Sequence, residues 1–436
     1  MSSFVRKVAV RFLSFAVLAC GIFSTAFVAS AQDKNLHAGE GQEHLPVPDW
    51  VKDDKDLKAF QAYRDSGSPV SAEVLDQAAQ WYAHRFTKET FQKDVKPGAK
   101  GMHDLLKDAL LQVIDPKDPN KKVSESQLRF MEDFDKPFIK RLYDVTKNPK
   151  PIARVNAVMV LAKLASTGQE DAVMILLEVI KDPKESDGIK LHAFRGVKDF
   201  LALGRGDNTN PFRKKDREAQ CILTLLEYLA RKPDISDSAP PEEQAALHYV
   251  RKEAIAALGE TRYPGLLKSE NKKTIIERPT ALTLAQIMRK EGGITPPPSI
   301  EEQVNAAVGL CRLRSRTLEQ YHVDYAAQQI GWFVVDFITA HNNNPAQNKS
   351  VPWKVLAARL SRALEEFKAD ADGRQEAKYV TAVVTQADQL LKPLIDAKGK
   401  PSPETFVGWL EQNKPAKEAL YDGTVAVAGA PQARAE

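Results

Sequence analysis

The sequence predicts an all-α fold, arranged as an α-solenoid in which successive helix pairs stack side by side. Three observations predict it. Alternating apolar and polar runs of strand type are almost absent. Apolar residues recur three and four apart, which places them on one helical stripe. One helix-turn-helix stretch, Pro151 to Leu201, carries a pattern that returns along the chain.

That pattern is a cation, an Ala three residues later, and a Leu or Val four after that. It reads Arg154, Ala157, Leu161 and then Lys190, Ala193, Val197. It returns as Arg251, Ala254, Leu258, and a fourth copy, Gln303, Ala306, Leu310, puts Gln in the cation slot. Residues three and four apart are neighbours on a helix, so each triplet forms one stripe. The small Ala admits an adjacent helix, and the larger aliphatic fills the space beside it. Val173, Leu176, Leu177 and Ile180 form the core stripe of a preceding helix. Asp182-Pro183 ends that helix, because a proline ring cannot continue the hydrogen-bond ladder.

Paired helices of this kind form solenoid units of roughly 40–47 residues in the HEAT and armadillo class. On these residues, from about Ser124 to Leu313, the chain resembles the HEAT-like repeats of exported bacterial proteins. The resemblance implies a ladder in which the turn Asp, here Asp182, faces the cation of the second helix, here Arg154, Lys190 or Arg251. Two departures stand out. The first turn offers Asn148-Pro149 in place of Asp-Pro, and the interval from Lys190 to Arg251 exceeds one unit.

The leader comes first in chain order. Arg6, Lys7 and Arg11 form a basic start, Phe12 to Val28 is uncharged and apolar, and Ala29-Ser30-Ala31 is a small-residue cleavage site. This predicts a signal peptide over residues 1–31 and a periplasmic or secreted protein. The alternative is an uncleaved membrane anchor. Lipoprotein processing at Cys20 fits less well, because the apolar run continues past it. Removing the leader's three cations leaves 59 against 58 acids, a net charge of +1. That balance gives no electrostatic case for nucleic acid.

Residues 32–123 are expected to hold an extended segment and helices. Val74, Ala78, Trp81 and Arg85 share one helical side, and Leu75, Ala79, Tyr82 and Phe86 the adjacent one. Aromatics at this spacing read as core rather than as a binding box. Ser124 and Gln127 have capping-box spacing and open the repeat region, residues 124–316.

Two insertions interrupt the repeats. Gly204 to Lys215 contains Arg205, Asp207, Arg213, Lys214 and Lys215 and is the first candidate for a partner contact, since solenoid insertions collect on one face. The second, Pro233 to Pro241, is acidic and proline-rich. Arg262 to Arg278 reads as a long polar connection, Thr283 to Arg289 as a helix, and Ser299 with Glu302 as another capping box.

Residues 317–421 form the C-terminal helical region. Ile330 to Ile338 is the most apolar stretch after the leader and reads as a buried helix. Trp353 to Phe367 and Tyr379 to Leu394 are amphipathic helices, and a last short helix carries Phe406 and Trp409. Residues 422–436 read as a disordered tail.

Catalytic grammar is missing from the sequence. It contains no His-Glu-x-x-His, Gly-x-Ser-x-Gly, Cys-x-x-Cys-His or phosphate-binding glycine loop. No cofactor or metal is therefore expected. Cys221 and Cys311 lie on apolar stripes and read as buried thiols, although an oxidising compartment would allow a disulfide. The function expected is a scaffold that binds another protein along a solenoid surface. One alternative is an enzyme or enzyme accessory whose site assembles only in the fold. Another is an envelope component held to the cell surface by the C-terminal aromatic helices.

Overall fold

A computed structural model describes residues 57–87, 125–203, 215–231, 239–270, 273–343, 350–397 and 399–422. The leader, the Gly204 to Lys214 insertion and most of the acidic insertion lie outside these residues. The fold is mostly helical, as expected. The chain divides into two compact units, residues 1–164 and 165–436.

The first unit contains α1 (Lys58–Ser66), α2 (Ala72–Thr87), α3 (Glu125–Thr146) and most of α4 (Pro151–Ala165). Helices α1, α2 and α3 pack mutually around aromatic rings. Phe130, Phe134 and Phe138 are four apart on α3, so their rings stack along one stripe at 5.5 and 5.1 Å. Phe60 of α1 lies 4.7 Å from Phe134, and Tyr82 of α2 lies 5.8 Å from Phe60. Trp81 and Tyr82 are buried, so the aromatic run on α2 is core. The side chains of His84 and Phe86 are outside the described set.

The second unit contains α5 (Glu170–Lys181), α6 (Asp187–Leu203), α7 (Lys215–Ala230), α8 (Pro241–Leu258), α9 (Thr280–Arg289), α10 (Ile300–Arg312), α11 (Val323–Asn343), α12 (Trp353–Ala371), α13 (Ala377–Asp396) and α14 (Glu404–Gln412). Their contacts follow a regular order. Each odd helix from α5 to α11 touches the next odd one, and each even helix from α6 to α12 touches the next even one. Successive helices pack as α5 with α6, α7 with α8, and α9 with α10. Helix α13 closes this series against both α11 and α12.

Local signals explain the boundaries. Asp182 adopts an extended conformation after α5, as Asp-Pro requires. Ser299 and Glu302 form both bonds of a capping box at the start of α10. The apolar run on α11 is buried: Ile330, Phe333, Val334, Phe337 and Ile338 are at most 1% exposed. Gly331 lets α13 and α14 approach, since a Cβ there would meet Leu410 at 3.0 Å and Phe406 at 3.2 Å. Phe406 is thus used in packing. Cys221 and Cys311 are both buried thiols, and burial raises the pKa of Cys311.

One expectation is corrected. The stretch read as a long connection contains a hairpin, β1 (Leu266–Glu270) antiparallel to β2 (Lys273–Arg278). Thr274-Ile275-Ile276 supplies β-branched residues that favour a pleated strand. Among the strand residues whose burial is described, Ile276 is deeply buried, Leu266 and Ile275 are intermediate and Leu267 is half exposed, so these neighbours do not alternate cleanly. The boundary of the predicted tail also shifts. Asp422 donates its backbone N–H to Gln320 O at 3.0 Å, beside a bridge between Tyr321 and Tyr421.

Candidate functional site

All nine repeat positions, Arg154, Ala157, Leu161, Lys190, Ala193, Val197, Arg251, Ala254 and Leu258, are buried. Three of the four polar slots share one place: Arg154, Lys190 and Gln303 are each the fourth residue of their helix. Arg154 Nη1 donates to Pro149 O at 3.2 Å, and Gln303 Nε2 donates to Pro298 O at 3.0 Å. Each side chain therefore satisfies a carbonyl of the turn five residues before it. Burial lowers the pKa of Lys190, and the charges of Asp187 and Asp182 in its entry turn oppose that shift.

Arg251 departs from this position, because it lies deep inside α8. The equivalent residue there is Gln244, whose Nε2 donates to Ala239 O at 3.1 Å. The overlong interval in the sequence thus arises partly because the matching triplet was one that lies two turns further along. Arg251 instead pairs with the fully buried Glu302, at 2.5 Å, and donates to Pro296 O at 2.9 Å. His248 Nδ1 lies 2.7 Å from the same carboxylate. Burial alone would raise the Glu302 pKa, but the His248 and Arg251 hydrogen bonds outweigh it and hold it below the usual range. This cluster locks α8 to α10.

The insertion residues Arg205, Asp207, Arg213 and Lys214 lie outside the described residues, and Lys215 begins α7 with its side chain outside them. The described residues point to a different face, formed by α6, α8, α10 and α12. A chain of polar contacts crosses it. Arg195 and Lys198 of α6 reach Glu253 of α8 at 3.5 and 3.2 Å. Lys252 of α8 pairs with Glu301 of α10. Arg312 of α10 joins Glu260, just past α8, at 2.6 Å and Glu366 of α12 at 3.2 Å. Arg359 of α12 donates to Asn305 Oδ1 at 2.8 Å, and Asn305 Nδ2 donates to Lys252 O at 3.1 Å.

Helical spacing puts these groups on one side. Arg195 and Lys198 are three apart; Tyr249, Lys252 and Ala256 follow the three-and-four rule on α8. Tyr249 is 46% exposed, accepts a hydrogen bond from Arg195 at 3.0 Å, and has Lys252 over its ring at 4.9 Å. Val355, 58% exposed, is one turn from Arg359.

At the centre is a cleft of about 130 Å³, lined by Lys198, Glu260, Asn305, Arg312 and Arg359 among others. Its floor is a close helix crossing. A Cβ on Gly259 would stand 2.8 Å from the Cα of Gly309, so neither position has room for a side chain. The missing side chains leave the space that the polar groups rim.

The field on this face is tuned by contact. Burial would raise the Glu253 pKa, but Lys198 and Arg195 bring it below the usual carboxylate range. Burial, followed by the charge of Arg195, lowers His192 to about 4, so it is neutral at pH 7. Glu260, the cleft's carboxylate, is paired with Arg312. Among the described residues, no group of three His, Cys, Asp or Glu side chains is placed to hold a metal ion. No described helix is long and apolar enough to cross a membrane. No family model matches the chain, and neither a curated protein nor a solved structure matches it.

The sequence reading missed this face. Its signal was present in the α8 stripe Tyr249, Lys252, Ala256, Gly259, which is polar or small at helical spacing. It passed unnoticed because an exposed polar stripe normally means only solvation.

Proposed function

We propose that this chain is an exported α-solenoid scaffold that recognises another protein along the face of α6, α8, α10 and α12. The observation that carries the reading is the contact order of the second unit. Odd helices meet odd and even meet even, as in a stack of two-helix units. Such a stack aligns its even helices as one continuous surface. That surface carries Tyr249, Arg195, Arg312 and Arg359, the side-chain types enriched where proteins bind one another. Export is supported by the basic start, the apolar run and Ala29-Ser30-Ala31.

Site-specific photo-crosslinking in cells tests this. A photoreactive phenylalanine analogue at Tyr249 or Val355 is expected to trap a discrete protein. The same probe at Glu227, exposed on α7 and away from these four helices' polar contacts, is expected to trap none. Crosslinks from Glu227 but none from Tyr249 or Val355 would put the partner elsewhere and end the reading.

A further inference from the structure

We propose that the cleft between α8, α10 and α12 is an oxyanion site that seats a carboxylate from an acidic segment of the partner, with Arg359 as its fixed donor. The inference rests on the recognition face above and names the chemistry it selects.

The first argument is charge. The cleft is lined by three cations, Lys198, Arg312 and Arg359, against one acid, Glu260. Lys198 is paired with Glu253, and Arg312 with Glu260 and Glu366. Arg359 differs from both. It donates to a neutral amide oxygen, that of Asn305, and among the described residues no carboxylate lies within ion-pair distance of it. Its guanidinium carries five N–H donors, and one such bond leaves most of them for a ligand.

The second argument is orientation. Asn305 is itself buried and fixed by Lys252 O, so its Oδ1 holds the guanidinium over the cleft before any ligand arrives. Preorganised donors lose less freedom on binding. Although Arg359 is exposed as a residue, desolvation and then the like charge of Arg312 lower its pKa. An incoming anion would relieve that repulsion.

The third argument is size. The glycine floor opens about 130 Å³, room for a carboxylate and a few methylenes. A nucleic acid would need a track of phosphate contacts, and this face alternates its charges instead. An acidic protein segment satisfies one cationic pocket within such an alternating field.

The test uses the mature full chain and fluorescence anisotropy of a labelled hexaglutamate peptide at low ionic strength. Binding is expected, and it should weaken with salt. Arg359→Gln should reduce it about tenfold or more, since a charge-assisted pair is lost. Lys354→Ala on the same helix should change it less than about twofold, as expected of a solvated charge. If Arg359→Gln alters the melting temperature, Lys198→Gln serves as the second variant, with a smaller loss expected. Competing inorganic phosphate should displace the peptide, as a shared oxyanion site requires. Equal binding by wild type and Arg359→Gln, or no binding at all, would overturn the site. A labelled oligothymidylate that binds more tightly than the peptide would overturn the carboxylate assignment. Crosslinks at Tyr249 without hexaglutamate binding would keep the face and reject the cleft; the reverse would keep the cleft and reject the protein partner.

Discussion

Gly259 and Gly309 meet backbone to backbone: a Cβ on Gly309 would stand 2.7 Å from the Cα of Gly259. Neither glycine has a positive φ, so conformational freedom is not what the chain needs there. It needs absence of volume.

This relationship predicts a reversal of sign. Gly309 lies inside α10, where Gly→Ala normally stabilises by about 0.5–1 kcal/mol. Gly309→Ala should instead destabilise by about 1–3 kcal/mol, because the obstructing atom is backbone. Urea denaturation with an unchanged slope and a lower midpoint would establish it. A rise in midpoint would mean the helices part easily.

Glu302 and Arg251 predict strong coupling. Glu302 is fully buried, so removing Arg251 takes away its guanidinium partner and leaves only His248 and the Ser299 N–H on the carboxylate. Arg251→Ala should cost about 3–5 kcal/mol, and Glu302→Ala a similar amount. The double variant should cost well below the sum. Additive losses in a double-mutant cycle would show that the two act independently.

His192 predicts a pH window of its own. Its folded pKa, about 4, lies below the ordinary 6.5, so the unfolded chain binds the proton more readily between those values. The associated stability is fully present above pH 6.5 and is lost as pH falls toward 4. Allowing for its partial exposure, the loss is about 2 kcal/mol. Glu253 and Glu302 are held below the usual 4.5, so their contributions are lost only at more acid pH. Thermal melts of wild type and His192→Gln from pH 7 to 5 should diverge, with the variant flatter. Parallel curves would remove His192 as the source.

Tyr421 predicts a local effect. Its hydroxyl donates to Pro264 O at 2.7 Å and accepts from the Ala281 N–H at 3.1 Å. Tyr421→Phe removes both of these bonds, while the Ala281 N–H keeps its own bond to Pro264 O at 2.8 Å, so the cost should be about 0.5–1.5 kcal/mol. Amide exchange at the start of α9 should quicken selectively. Uniform change across the unit would point to a global loss instead.

Much of the architecture was legible because helical patterning is local. The α10 capping box, the Asp182-Pro183 stop and the buried Ile330 to Ile338 helix all follow from neighbours within four residues. The buried Ala157, Ala193 and Ala254 were legible for the same reason. The hairpin was not, because its two strands are short and rich in Lys, Glu and Ser, and so present almost no apolar-polar alternation in the sequence. Arg251 was matched to the wrong slot because Ala254 and Leu258 reproduce the spacing two turns late. The polar face of α6, α8, α10 and α12 was hidden for a deeper reason. Asn305 and Arg359 acquire their roles only from each other, fifty-four residues apart, and no local spacing encodes that pairing.

The bond from Tyr421 to Ala281 spans 140 residues, and its order in time matters. During synthesis, α9 emerges long before its latch exists. Until Tyr421 follows, the Ala281 N–H has Pro264 O, at 2.8 Å, as its partner and lacks the hydroxyl that ties both groups together. Completion of this corner is thereby tied to a residue made 140 positions later.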